Sequence, residues 1–195
     1  MVSRLPIVGV MGSGRDPFPY LARPLGELLA FTGCHLLTGG GGGVMAEVSR
    51  AFCGVESRRG LTLGVIRSDG FPRLDEATGR RRYRSAGVNP WVEVPILTHL
   101  PLSSESRESR NHINVLTADA LVVLPGSTGT LSELSLRLAY GRRAILYLGD
   151  PAVRLKLAGR SADELAGELR DPERLLVAEK LQQVGCYLGL CLQKS

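Results

Sequence analysis

Short apolar runs alternate with segments of helical periodicity through the first third of the chain. The runs at residues 7–11, 34–38 and 61–66 each end at or near a glycine and predict buried strands. Between them, residues 17–31 and 44–53 carry apolar side chains at the spacing of one helix face. This β-α-β-α-β order is typical of a parallel sheet with helices on both faces.

The alternation resumes after a charged stretch at residues 67–90, which has no apolar period and predicts an exposed basic excursion. The next predicted helix directs Ile113 and Leu116 inward, and residues 151–195 are expected to be helical. We therefore predict one Rossmann-like domain over residues 1–195, with a doubly wound, mainly parallel sheet of about six or seven strands. The remaining predicted elements are strands at 91–96, 118–124 and 144–148, and helices at 103–117, 131–140, 161–169 and 172–190.

Composition narrows the class of protein only slightly. The 195 residues suffice for one buried core, and the formal net charge of +5 favours anionic partners. The four cysteines form no CxxC pair, and the three histidines lack metal-ligand spacing, which predicts a reducing compartment and no metal site. No apolar run is long enough for a signal peptide or a membrane span, so we expect a cytoplasmic protein.

Two glycine-rich turns follow predicted strands and precede predicted helices, at residues 39–43 and 125–130. Ligands of open parallel sheets bind beyond the carboxyl ends of the strands, where helix N-termini attract anions. Two such turns favour a phosphate site, although glycine runs also occur simply as tight turns. The predicted ligand-binding residues are Gly12, Gly39, Gly40, Gly41, Gly42, Gly43, Pro125, Gly126, Ser127, Thr128, Gly129 and Thr130.

Neither turn matches a Walker motif, because GxxxxGK[ST] is absent. The spacing Gly41-x-Gly43-x-x-Ala46 fits a dinucleotide fingerprint, but it follows the second strand, and its acidic partner would have to be Asp69 beyond the third. A NAD site is therefore weakly supported.

Two charged residues near the second turn are candidate catalytic groups. Glu133 is predicted in the first turn of the following helix, where a carboxylate would orient water or stabilise positive charge on a sugar. The alternative is a purely structural capping box formed by Thr130 and Glu133. Arg110 lies on the preceding predicted helix, where an arginine is more often an exposed surface residue.

The segment from Glu108 to Leu134 contains Pro-Gly-Ser-Thr-Gly-Thr-Leu-Ser-Glu and resembles the PGGxGTxxE region of the LOG-like superfamily. That group includes lysine-decarboxylase-like proteins, cytokinin-activating phosphoribohydrolases and molybdenum cofactor carrier proteins. Residues 38–45 look like its first glycine motif. Residues 89–96 and the pair Arg110 and Asn111 are most similar to the cofactor-carrier branch.

The resemblance implies a Rossmann-like dimer or tetramer that holds a phosphate at the second turn. It also implies that Arg110 and Glu133 occupy the positions of the catalytic pair in the hydrolase branch, and that Asn111 belongs to the binding site. Two departures matter: Ser127 replaces the second glycine of the motif, and Asn111 replaces the lysine usual in the hydrolases.

We therefore expect a binder of a phosphorylated, nucleotide-like ligand, such as the molybdenum cofactor or an AMP-like nucleotide. The alternative is a nucleoside 5′-monophosphate phosphoribohydrolase that cleaves the N-glycosidic bond. A nucleic-acid-associated protein, drawn by the arginines of residues 73–84, is a third hypothesis. A pyridoxal-phosphate lysine decarboxylase is not expected, because Lys156, Lys180 and Lys194 all lie far along the chain from the glycine turns.

Overall fold

The described part of the chain forms six α-helices and nine β-strands. A computed structural model describes residues 4–66, 73–74, 81–82, 88–98, 100, 109–153, 155–169 and 171–192. The strands are β1 (Ile7–Met11), β2 (His35–Thr38), β3 (Thr62–Ile66), β4 (Arg73–Leu74), β5 (Arg81–Arg82), β6 (Val94–Leu97), β7 (Ala120–Val123), β8 (Ala144–Tyr147) and β9 (Leu175–Ala178). The helices are α1 (Pro19–Thr32), α2 (Val44–Cys53), α3 (Arg110–Thr117), α4 (Thr128–Ala139), α5 (Ala162–Leu169) and α6 (Leu181–Leu192), with a 3₁₀ turn at Pro151–Val153.

Seven strands form one parallel sheet in the order β6-β3-β2-β1-β7-β8-β9, while β4 and β5 form a separate antiparallel pair. In the centre of the sheet, Val8 of β1 lies opposite Leu36 on one side and Ala120 on the other. Parallel strands joined by crossover helices make up the doubly wound, Rossmann-like fold predicted from the sequence, which is therefore confirmed.

Helices cover both faces of the sheet. On one face Val8 and Val10 pack in a cluster with side chains of α1, α2 and α6. On the other face Met11 and Leu121 pack in a cluster with side chains of α3, α4 and α5. Successive side chains of a strand point to opposite faces, so a strand buried on both sides is apolar throughout. The uninterrupted apolar runs of the sequence reflect this double burial.

The order of the strands reverses between β1 and β7. The chain runs outward from β1 through β2, β3 and β6 on one side, and from β7 through β8 and β9 on the other. Loops that leave the carboxyl ends of these two strands therefore diverge and leave a crevice between them. The turn at Gly12 and the turn at Pro125 both begin at this crevice.

The predicted C-terminal helical segment is wrong in one respect. Residues 172–190 were expected to form a single helix, but Leu175–Ala178 is the edge strand β9, paired with β8, and α6 begins only at Leu181. A short apolar run such as Leu-Leu-Val-Ala shows no hydrophobic periodicity, so its sequence does not distinguish a strand from a buried helical turn. Its pairing depends on β8, which lies about thirty residues earlier.

Two other predictions fall largely on parts of the chain outside the described residues. Of the basic excursion at 67–90, the structure describes only β4, β5 and residues 88–90. Of the helix predicted at 103–117, it describes residues 109–117. Within the described residues, no helix combines the length and apolarity needed to cross a lipid bilayer.

The glycine turn before α2 has a backbone geometry that excludes other side chains. Gly43 precedes α2 with φ 58° and ψ −131°, and a Cβ atom there would lie 2.3 Å from the carbonyl oxygen of Ser13. We expect Gly43→Ala to lower the free energy of unfolding by roughly 1–3 kcal/mol, because the backbone is strained and the neighbouring atoms are main chain.

Gly167→Ala is the matched control for this substitution. Gly167 is exposed on α5, and a Cβ atom there meets nothing within 4 Å. We expect this variant to raise the free energy of unfolding by up to about 1 kcal/mol through helix propensity. Urea denaturation followed by circular dichroism measures both variants, and changes of the same sign would contradict the prediction.

Candidate functional site

A cavity of about 340 Å³ lies at the carboxyl ends of β1 and β7, where the strand order reverses. We call it the switch-point cavity. Its wall combines the turn after β1, the start of α2, the start of α3 and the first two turns of α4. The residues that line it are Met11, Gly12, Gly14, Met45, Arg110, Asn111, Ser127, Thr128, Gly129, Thr130 and Glu133.

The backbone of Ser13 joins the elements around this cavity. Its N–H donates a hydrogen bond to the carbonyl oxygen of Pro125 at 2.9 Å, and its own carbonyl oxygen accepts from the N–H of Val44 at 2.9 Å. Its hydroxyl accepts from the N–H groups of Arg15 and Asp16 at 3.1 and 2.9 Å, which fixes the turn itself. Ser13 therefore holds the turn after β7 and the start of α2 at fixed positions.

The N-terminus of α4 opens into the cavity without a side-chain cap. Ser127 is the N-cap residue, and its side chain makes no capping hydrogen bond. The first bond that closes the helix runs from the N–H of Leu131 to the carbonyl oxygen of Ser127 at 3.1 Å. The amides of residues 128–130 precede it and belong to the helix end that carries partial positive charge.

The predicted position of Glu133 in the first turn is wrong, because α4 begins at Thr128, three residues earlier than expected. Glu133 consequently lies in the second turn, and no capping box forms between it and Thr130. Both side chains are instead buried at the cavity. The sequence alone does not show whether residues 128–130 form a loop before the helix or the first turn of the helix itself.

Arg110 is buried, with only 7% of its surface exposed, which excludes the alternative of an exposed surface arginine. It is the first residue of α3, and its Nη1 donates to the carbonyl oxygens of Gly39, at 2.6 Å, and of Val65. A Cβ atom on Gly39 would lie 2.8 Å from Nη2 of Arg110. The first glycine turn thus leaves space for this guanidinium and fixes it at the cavity wall.

Glu133 accepts a hydrogen bond at 2.7 Å from the Nδ2 of Asn114. Burial raises the pKa of Glu133 to about 7, although the Asn114 hydrogen bond and the charge of Arg110 both act to lower it. The carboxyl group therefore changes its charge near neutral pH. This property suits a group that exchanges a proton or that responds to charge on a bound molecule.

The buried face of α3 is largely polar. Of the two residues predicted to face inward, Leu116 is exposed, whereas Ile113 packs against the core. Leu116 is 43% exposed and Ile113 half-buried, whereas the buried residues are Arg110, Asn111, Asn114 and Val115. A hydrophobic period cannot identify a helix that faces a polar cavity. Asn114 was not predicted as a site residue for the same reason.

The structure brings some of the predicted site residues together and separates others. Gly12, Arg110, Asn111 and Glu133 line the cavity together with residues 127–130. Gly39 to Gly43, Pro125 and Gly126 do not line it. Among them, Gly39 lies close to Arg110, and Gly43 and Pro125 lie close to Ser13. Met11, Gly14 and Met45 line the cavity and were not predicted.

A larger cavity of about 530 Å³ lies at the opposite end of the sheet, where β7, β8 and β9 begin. Its buried Arg137 donates to the carbonyl oxygens of Val115 and Ala118 at 2.8 and 2.7 Å, and its Arg142 donates to that of Leu116 at 3.0 Å. These oxygens belong to the C-terminal end of α3, which lacks helical partners for them. We therefore assign these two guanidinium groups a structural role.

The all-parallel sheet and its switch-point cavity define an α/β protein of the Rossmann-like class, in which ligands bind at the carboxyl ends of the strands. The chain belongs to the SLOG cluster4 family, whose model matches residues 5–184. An uncharacterized protein of Archaeoglobus fulgidus is 31% identical over 148 residues, which span 75% of this chain and 82% of that protein.

Two solved structures are similar over nearly the whole chain. The molybdenum cofactor binding protein from Rippkaea orientalis is 27% identical, with a TM-score of 0.70 and coverage of 97% of this chain and 98% of its own. The molybdenum cofactor carrier protein MCP from Chlamydomonas reinhardtii is 25% identical, with a TM-score of 0.69 and coverage of 98% and 100%. The resemblance seen in the sequence motifs is confirmed.

The raised pKa of Glu133 makes the stability of the protein depend on pH. The folded state binds more protons than the unfolded chain between the ordinary value of 4.5 and about 7, so ionisation of this group costs stability as pH rises through that range. We expect the free energy of unfolding of Glu133→Gln, relative to wild type, to increase by about 3 kcal/mol between pH 4 and pH 8. Urea denaturation at several pH values measures this difference.

Glu47→Gln supplies a control of opposite sign. Hydrogen bonds and charge from Arg50 and Arg23 lower the pKa of Glu47, so its ionised form stabilises the folded state. Relative to wild type, this variant should lose stability as pH rises from the lowered pKa to the ordinary value of 4.5, so the series includes points below pH 4.5. A flat difference for Glu133→Gln across the range would contradict the burial assigned to that carboxyl.

Proposed function

We propose that this chain binds a phosphorylated, nucleotide-like ligand in the switch-point cavity, with the phosphate at the N-terminus of α4. The observation that carries the proposal is the uncapped first turn of α4: residues 128–130 line the cavity, and their amides precede the first helical hydrogen bond. Helix N-termini of this kind bind phosphate through amide hydrogens and partial positive charge.

Arg110 adds a full positive charge to the same wall. Its guanidinium is held by the carbonyl oxygens of Gly39 and Val65, so it needs no rearrangement before a ligand arrives. A fixed cation beside a helix N-terminus attracts a phosphate dianion more strongly than either alone, because both contribute positive potential at the same place.

The remaining wall suits a flat heterocycle. Met11 and Met45 line the cavity, and thioether side chains make favourable contacts with aromatic rings. The volume of about 340 Å³ lies within the range of small-molecule sites.

The two similar solved structures are named for binding or carrying the molybdenum cofactor, which is a phosphorylated pterin. The amides of α4 and the charge of Arg110 fit the phosphate of such a cofactor as well as that of AMP. We therefore propose that the bound molecule is either this cofactor, held as cargo, or a nucleotide of similar size.

A charge substitution at Gly129 tests the position of the phosphate. Gly129 is the second residue of α4, and a Cβ atom there meets nothing within 4 Å. We expect Gly129→Asp to weaken AMP binding at least about tenfold more than Gly129→Asn, because only the carboxylate repels a phosphate. Isothermal titration calorimetry measures both variants against wild type.

The two variants have side chains of equal size, so the comparison isolates charge. An aspartate in the first turn of a helix stabilises it, and thermal melts should show that Gly129→Asp is at least as stable as Gly129→Asn. Equal affinities of the two variants for AMP would show that the phosphate lies elsewhere. A wild-type protein that binds no AMP would remove the AMP-like form of the proposal.

A second candidate function is hydrolysis of the N-glycosidic bond of a nucleoside 5′-monophosphate. The buried Glu133, with a pKa of about 7 and its hydrogen bond from Asn114, favours it. In its ionised form Glu133 would orient water or stabilise the oxocarbenium-like sugar, and water would add to the sugar as the base leaves with a proton. The products would be the free base and ribose 5-phosphate.

Incubation with AMP separates this activity from binding alone. If the chain is a hydrolase, adenine release measured by chromatography should rise with pH through about 7, because the ionised carboxylate is needed, and should disappear in Glu133→Gln. Saturable AMP binding without adenine release assigns the chain a binding role, and release that persists in Glu133→Gln excludes Glu133 as the catalytic group.

A further inference from the structure

Two buried carboxamide oxygens beside the cavity have no hydrogen-bond partner among the described residues. They are the Oδ1 atoms of Asn111 and Asn114, whose residues are 1% and 0% exposed. Buried acceptors in folded proteins are nearly always paired, and exceptions commonly mark positions at which another molecule supplies the partner.

The two asparagines differ in what surrounds them. Asn114 has its amide nitrogen committed to Glu133 at 2.7 Å and does not line the cavity. Asn111 lines the cavity, as do Arg110 and the start of α4. Its backbone N–H donates to the hydroxyl of Ser109 at 3.2 Å, which fixes the residue in the first turn of α3. Of the two asparagines, Asn111 is therefore the one that lies at the cavity.

A phosphate dianion cannot pair with this oxygen, because it carries no hydrogen to donate. The partner must be a donor elsewhere on the ligand, close enough to the phosphate for both to lie in one small cavity. In a nucleoside monophosphate the ribose hydroxyl groups are donors of this kind, separated from the phosphate by only a few bonds.

We propose that Oδ1 of Asn111 accepts a hydrogen bond from a sugar hydroxyl of the ligand, so that the cavity selects phosphate esters of hydroxylated sugars. The inference rests on the proposed phosphate site at α4 and adds the chemical class of the neighbouring group. It also specifies the role of Asn111 in the binding site, which is to accept a hydrogen bond from the sugar.

The test compares AMP with 2′,3′-dideoxy-AMP, which share the base and the phosphate and differ only in two hydroxyl donors. We expect wild type to bind AMP about tenfold more tightly than the dideoxy compound, as measured by calorimetry. Asn111→Leu, which has a similar volume and no acceptor, should bind AMP about tenfold more weakly while its affinity for the dideoxy compound stays unchanged.

Asn111→Asp is the control, since it retains an acceptor and adds a negative charge. It should weaken both nucleotides through repulsion of the phosphate and still prefer AMP over the dideoxy compound. Thermal melts of each variant establish that it is folded, and either variant alone can decide the outcome. Asn111→Asp binding both compounds equally would contradict the acceptor role.

The remaining outcomes separate this inference from the proposal beneath it. If Asn111→Leu weakens both nucleotides equally and keeps the preference for AMP, then Asn111 acts on the phosphate or on the fold, and the inference is overturned. If wild type binds both nucleotides equally, the hydroxyl groups are not read. If wild type binds neither, the phosphate site for nucleotides fails, and the inference fails with it.

Discussion

The loops that leave the carboxyl ends of β1 and β7 diverge at the reversal of strand order, and the backbone of Ser13 holds them at fixed positions. One hydrogen bond reaches the turn after β7, and another reaches the first residue of α2. Backbone bonds of this kind require the two turns to approach closely, which explains why Gly43 stands where a Cβ would meet the Ser13 carbonyl. The same residue, Ser13, thus connects the turn after β1 to the turn after β7 and to the start of α2, and the cavity lies among these three segments.

Around that junction the protein maintains a buried polar layer in an otherwise apolar fold. Arg110, Asn114 and Glu133 are all buried, and ionised groups in such positions are costly unless they are bonded. Backbone carbonyls accept hydrogen bonds from Arg110, and an amide donates one to Glu133, so both ionisable groups have partners within the protein. The proton on Glu133 gives this layer two charge states near neutral pH.

Local signals in the sequence were sufficient for the fold and for part of the site. Apolar runs ending at glycines identified the central strands, and residues 127–130 of the second glycine turn line the cavity. Burial of Arg110 was not predictable, because its carbonyl partners, Gly39 and Val65, are contributed by loops and strands far away in the sequence. The exposure of Leu116 and the edge strand β9 were missed for a related reason. Both depend on contacts with elements that are distant in the sequence, as the pairing of β9 with β8 shows.

The close contact between Gly39 and Arg110 couples two positions that are 71 residues apart in the chain. A side chain at Gly39 would displace the Arg110 guanidinium, because its Cβ would lie 2.8 Å from Nη2, even though Gly39 itself does not line the cavity. Replacement of that glycine would therefore move the arginine's charge although the arginine itself is unchanged. A relative that retains the arginine but lacks this glycine is expected to hold that positive charge at a different position, whatever its overall similarity.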